Sequence, residues 1–185
     1  MADIGTSIHQ AARVIQQGGL VVYPTEGVFG IGCDHRNEAC VNRLLSLKQR
    51  PVDNGLILAA GHVQQVLPLI LPNNPKDLAR ALKSWPGHVT WVFPASGAVA
   101  PWITGNHDSV AVRVSQHPVI QQLSQQLNMP LVSTSANIHG QPTPTSCADI
   151  AAVWAEQVDY YLDLPLGGAT KPSEIRLAAT GEALR

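Results

Sequence analysis

The chain has 185 residues, 45% hydrophobic and 14% charged, with 12 basic against 13 acidic side chains and a formal net charge of −1. That length suits one domain, spanning residues 1–185, with a full core, and the composition excludes a disordered or fibrous chain. The balanced charge excludes binding of nucleic acid through bulk basicity, so any such role must rest on local clustering of Lys and Arg.

In chain order, Thr6 or Ser7 caps a first helix with Ile8, Ala11, Ala12 and Ile15 on one face and Gly18-Gly19 as its stop. LVVYP (20–24) reads as a buried strand that leads into the glycine-containing loop TEGVFGIGCD. Asn37 caps a second helix with Cys40, Val41, Leu44, Leu45 and Leu47 inward, and Pro51 closes it. LILAA (56–60) is a second buried strand. Helices follow at 62–70 and 75–84, the latter with Asn74 at its N-cap and Pro75 at its first position. Strands are expected at 88–95 and 109–115, a helix at 117–127, a strand at 130–133, a helix near 146–156, and strands near 158–163 and 173–178. This mixture predicts a single α/β domain on a twisted open mixed sheet flanked by helices. The Pro- and Gly-rich segments 94–108 and 138–145 read as rims of a cleft.

Cys33, Cys40 and Cys147 are scattered and form no CxxC pair, and the seven histidines form no HxxxH pair, so neither disulfides nor a metal site is expected. The N-terminus lacks the pattern of a signal peptide and no apolar run approaches a membrane span, which makes the cytosol the expected compartment.

Three polar clusters end predicted elements. In YPTEGVFGIG (23–32), Thr25 and Glu26 follow a strand, and Gly27, Gly30 and Gly32 allow close backbone approach. The pattern is neither GxGxxG nor a Walker A loop, and a tight strand–loop–strand turn explains it equally well. In LKQRPVDNG (47–55), Lys48 and Arg50 occupy the last turn of an apolar-faced helix. They either complement the helix dipole or, with Pro51 fixing the exit path, aim a point charge and a planar fork at one anion. In STSAN (133–137), hydroxyls and an amide follow a strand directly and offer donors to anionic oxygens, unless the turn satisfies itself.

Arg113 lies within the strand SVAVRVS and needs a partner if buried: Asp108, Asp34 or a ligand. Ser173 and Arg185 lie in a C-terminal stretch that either folds back on the site or frays. His88, His107, His117 and His139 read as satisfied surface or core residues, and the four Trp as packing. No Ser–His–Asp, Cys–His or paired-carboxylate arrangement is evident. Hydroxyls, an amide, Lys and Arg suit phosphate positioning and charge stabilisation better than covalent catalysis.

At these residues the chain resembles a known family. YPTEGVFGIGCD, LLSLKQRPVDNGLIL, WPGHVTWVFPA, SVAVRVSQHP, PLVSTSAN and PSEIRLAATGEALR occur in the order found in the YrdC-like family, from about Ala11 to the C-terminus. Its KxR and SxN motifs stand here as Lys48-Gln49-Arg50 and Ser135-Ala136-Asn137. The resemblance implies a YrdC/RibB-like fold with a concave basic face, and a nucleotidyltransferase that joins L-threonine, bicarbonate or CO2, and ATP into threonylcarbamoyl-AMP and diphosphate. It also implies Mg2+ arriving with ATP, and downstream transferase proteins that modify the adenosine beside the tRNA anticodon. By resemblance, Thr25 and Arg50 hold threonine, Lys48 and Arg50 are catalytic, and Lys48, Arg113, Ser133, Ser135, Asn137, Ser173 and Arg185 bind nucleotide. Longer members have a His where this chain has Ala59. The competing expectation is a double-stranded RNA or tRNA-binding module without catalysis.

Overall fold

The protein is described by a computed structural model covering residues 1–185. A short edge strand, β1 (Ile4–Gly5), precedes helix α1 (Ile8–Gln16), which starts where the Ser7 hydroxyl accepts the N–H of Gln10 at 3.1 Å. That bond satisfies one of the N–H groups a helix start leaves without a partner. β2 (Val21–Pro24) turns into β3 (Phe29–Gly32), so the glycine-containing loop expected here carries a strand of its own. Gly32 is required there because a Cβ would lie 1.8 Å from the carbonyl oxygen of Val132, where two strands cross. α2 (Glu38–Lys48) is capped by Asn37, and β4 (Ile57–Ala60) follows.

The helix expected at 62–70 is shorter: α3 (Val63–Val66) passes into a 3-10 turn at Leu67–Leu69, since Pro68 has no N–H to continue it. α4 (Pro75–Leu82) begins with the Asn74 side chain on the Lys76 N–H at 2.9 Å and the Asp77 carboxylate on the N–H groups of Asn73 and Asn74. β5 (Val89–Pro94), a one-turn helix α5 (Pro101–Thr104) inside the expected rim, β6 (Ser109–Val114) and α6 (Pro118–Leu127) come next. The strand expected at 130–133 is two: β7 (Leu131–Val132) and β8 (Thr134–Ser135). α7 (Cys147–Trp154), β9 (Tyr160–Leu162) and β10 (Glu174–Leu177) complete the chain.

The strands form two mixed sheets of five, in the orders β1-β9-β2-β3-β8 and β10-β5-β6-β4-β7, rather than one open sheet. The chain passes from the second sheet to the first at Ser133. β7 pairs with β4, β8 pairs with β3, and the Ser133 N–H still reaches the Ile57 carbonyl at 2.9 Å.

Alternation along the second sheet separates packing from function. Leu58, Val112, Val110, Trp91 and Phe93 enter the larger core. On the opposite face, Ile57, Ala111, Val92 and Leu177 stand side by side in register, with Arg113 and Ile175 two residues along their strands, as the floor of a cleft. Ala59 shares that face but is fully buried in the smaller core with Ile120 and Leu123, away from the cleft. Trp85, Trp91 and Trp154 are buried, and Trp102 donates its indole N–H to the His35 carbonyl. No helix is long and apolar enough to cross a membrane.

Candidate active site

The cleft has a volume of about 700 Å3 and opens between the two sheets. Its walls come from the β2–β3 turn, the segment after α2, the STSAN crossing and the C-terminal strand. Of the residues singled out from sequence, Thr25, Arg50, Arg113, Ser133, Ser135, Ser173 and Arg185 line it; Lys48 and Asn137 do not.

The α2 terminus separates the two cations. Gln49 adopts a left-handed conformation, φ 51° and ψ 40°, and the Arg50 N–H closes back on the Leu45 carbonyl at 3.0 Å. A chain that turns there sends neighbouring side chains different ways, so Lys48 and Arg50 do not converge on one point as Pro51 suggested. Lys48 stays on the inward face of α2, 1% exposed, with its ammonium 2.5 Å from the Ser135 carbonyl oxygen and 2.7 Å from that of Asn137. Burial, and then the charge of Arg50, push its pKa down to about 8.

Arg50 enters the cleft. One Nη donates to the Gly55 carbonyl at 2.9 Å, while its buried Nε has no partner at all. Burial and then the neighbouring charge of Arg185 hold its pKa below the usual arginine value. A buried guanidinium N–H without an acceptor, facing another guanidinium, is arranged for an anion.

Arg113 finds its partner in neither Asp108 nor Asp34. Asp34 instead pairs with Arg36, and Arg113 Nη1 donates to Glu26 Oε2 at 2.5 Å. The other Glu26 oxygen accepts the Ser115 hydroxyl at 2.5 Å. Burial raises the Glu26 pKa, but the charge of Arg113 and the Ser115 hydrogen bond outweigh it and hold the carboxyl below its ordinary value. Sequence reading placed Glu26 in a polar cluster without a role, and nothing in the chain signals a pairing across 87 positions. His88 also reaches the site: it lines the cleft, and its Nδ1 lies 3.5 Å from Arg113 Nη1.

The remaining groups hold the walls. The Thr25 hydroxyl donates to the Val28 carbonyl at 2.6 Å, and Ser173 Oγ lies 3.2 Å from Thr90 Oγ1. Asn137 donates to the carbonyls of Ile138 and Gln141 and accepts from Thr143, which shapes the rim at 138–143. Arg185 is not frayed: its backbone pairs with Ile175, and its side chain donates to the Ser173 carbonyl at 3.3 Å. Three guanidinium groups therefore line a cleft that no Asp or Glu side chain lines, and Glu26, paired with Arg113, is already engaged.

A family model described as Telomere recombination (Sua5/YciO/YrdC) matches residues 13–185. The chain belongs to the Sua5/YciO/YrdC family. A protein of Pseudoalteromonas translucida (strain TAC 125) named threonylcarbamoyl-AMP synthase is 44% identical over 189 residues, covering 100% of each chain. One of Pseudomonas paraeruginosa (strain DSM 24068 / PA7) with the same name is 46% identical over 176 residues, covering 95% of this chain and 94% of its own. Among solved structures, P. abyssi Sua5 complexed with L-threonine superposes with a TM-score of 0.87 at 31% identity, covering 96% of this chain and 54% of that one. This Sua5/YciO/YrdC chain thus spans nearly the full length of these curated relatives and about half of the P. abyssi protein. E. coli YciO, with a TM-score of 0.80 at 22% identity, shares the fold.

Seen in this family, the buried Lys48 contacts carry a structural meaning. They tie the KxR motif to the backbone of SxN, and the His139 N–H adds a bond to the Lys48 carbonyl at 2.8 Å.

Proposed function

We propose that this chain is a threonylcarbamoyl-AMP synthase, joining L-threonine, bicarbonate or CO2, and ATP into L-threonylcarbamoyladenylate and diphosphate. The observation that carries the reading is the cleft charge: Arg50, Arg113 and Arg185 line one cavity, and the Arg50 Nε is buried without an acceptor. Full-length relatives that bear this name support it.

The reaction brings anions together. Threonine's amine adds to CO2 to give a carbamate. A carbamate oxygen then attacks the α-phosphorus, and the bond to the β-phosphate breaks with its electron pair leaving on diphosphate. Carboxylate, carbamate and triphosphate repel one another, and fixed guanidinium groups offset that repulsion without reorganising. Arg50, beside Thr25, takes the threonine carboxylate and lies next to the reacting carbamate. Arg113, Ser133, Ser135, Ser173 and Arg185 take the nucleotide and its phosphates. Lys48 and Asn137 serve the nucleotide side from behind: Lys48 fixes the SxN loop and adds positive charge near Arg50, and Asn137 shapes the rim.

No group of three or more His, Cys, Asp or Glu side chains is placed to hold a metal ion, so in this reading Mg2+ comes with the triphosphate and is held by its oxygens. The product is a mixed anhydride, which a downstream transferase would pass to the tRNA adenosine. Diphosphate release by the purified protein, with L-threonine and bicarbonate each present or omitted, tests the proposal. Release is expected only when both are supplied; release without threonine, or none at all, would refute it.

A further inference from the structure

We infer that Glu26 is a positioning residue of this reaction, acting through Arg113; the inference rests on the reading of Arg113 as a nucleotide-side group. Glu26 is 5% exposed and does not itself line the cleft, although Thr25 and Gly27 beside it and Arg113 bonded to it do. It comes from the β2–β3 turn of the first sheet, whereas Arg113 and Ser115 come from β6 and its end, in the second. Their hydrogen bonds, both 2.5 Å, therefore fasten the two sheets to each other across the bottom of the cleft.

The clamp fixes which edge of Arg113 faces the ligand. Nη1 is taken by Glu26, while Nε and Nη2 have no protein partner and keep contact with solvent on the cleft side. A planar fork held by one corner presents its other donors in one orientation. Glu26 is in turn immobilised by its backbone. Thr25 and Glu26 carbonyls accept the N–H groups of Gly167 and Ala169 at 2.9 and 2.7 Å. Gly167 packs so closely that a Cβ there would lie 2.8 Å from Glu26 Cα. Ser115 is held as well, its hydroxyl accepting the His117 N–H at 3.0 Å. The carboxylate and the Ser115 hydroxyl that donates to it are thus held before substrate arrives, which is what orienting an in-line displacement requires.

The test is steady-state kinetics of Glu26→Gln, Arg113→Gln and the double variant, with binding of a non-hydrolysable ATP analogue and thermal unfolding measured on each. Glu26→Gln is expected to fold but to unfold below the wild-type temperature because the buried pair with Arg113 is lost, to keep the ATP KM and analogue affinity within threefold, and to lose at least tenfold in kcat. In the Arg113→Gln background, the same change should cost less than twofold, because a residue acting through Arg113 has nothing left to orient. An unchanged kcat, a loss confined to KM, or equal losses in both backgrounds would overturn the inference. Should Glu26→Gln fail to fold, Ser115→Ala decides: a severalfold fall in kcat at constant KM supports it and wild-type kcat refutes it. A wild type that releases no diphosphate would instead bring down the proposed function, and the inference with it.

Discussion

The ammonium of Lys48 lies 2.5 Å from the carbonyl oxygen of Ser135, 87 residues away, and closes the KxR turn onto the SxN crossing. The contact converts a helix terminus and a strand crossing into one wall of the cleft. A buried ammonium without a carboxylate is costly unless its donors are used, and here two carbonyl oxygens take two of the three.

Lys48→Ala should therefore weaken both stability and turnover. It strands the Asn137 carbonyl at the wall, a loss of about 1–3 kcal/mol for a buried unpaired acceptor, takes one of two donors from the Ser135 carbonyl, which keeps the Asn137 N–H at 2.9 Å, and leaves a cavity beside them. The expected result is a lower urea midpoint together with a fall in kcat/KM on the order of a hundredfold. A fully stable variant with normal kcat/KM would show that the wall does not depend on this side chain.

Arg50→Ala should separate the two properties. Its Nε is buried without a partner and its charge faces Arg185, so the folded state gains little from it. Stability is expected to stay level or rise, while kcat/KM falls on the order of a hundredfold, the scale of losing a transition-state donor. Parallel losses in melting temperature and activity would assign Arg50 a packing role instead.

Removing Arg185 should act on the nucleotide alone. The residue lines the cleft and is held by its backbone to Ile175 and by its side chain to the Ser173 carbonyl. Deletion is expected to raise the apparent KM for ATP and leave that for L-threonine unchanged. Titrating each substrate at saturating concentrations of the other measures both.

Glu26 should leave a signature in the pH dependence of stability. Its folded pKa lies below the ordinary 4.5, so the unfolded chain binds the extra proton first as pH falls. The carboxylate's contribution is then fully present above about pH 4.5 and is lost as pH drops through the folded value. Urea midpoints of the wild type and Glu26→Gln should differ most at pH 7 and converge toward pH 3. A gap that stays constant across that range would mean the carboxylate charge contributes nothing.

Much of the framework was legible in local sequence because local physics decides it. Ser7, Asn37 and Asn74 cap helices, since a short polar side chain before an apolar period satisfies the first N–H groups. The burial of Lys48 was legible as well: Val41, Leu44, Leu45 and Lys48 fall at one helical face, and all four are buried. Its charge drew attention to function and away from that spacing. Glycine-rich FGIG looked like a loop, but its glycines permit two strands to cross, a requirement set by Val132, 100 residues later.

The amino-acid sequence by itself determined the helices and their caps, the apolar strands, the polar clusters and, through the order of its motifs, the family. Tertiary structure alone decided that the strands divide into two sheets with the crossing at Ser133, that Arg113 pairs with Glu26, and that Lys48 lies behind the wall while Arg50 faces the cleft. Periodicity and capping depend on neighbours within a turn or two, so they can be read along the chain. Which buried charges meet depends on how distant strands register and which face each presents, and that is settled only when the whole core packs.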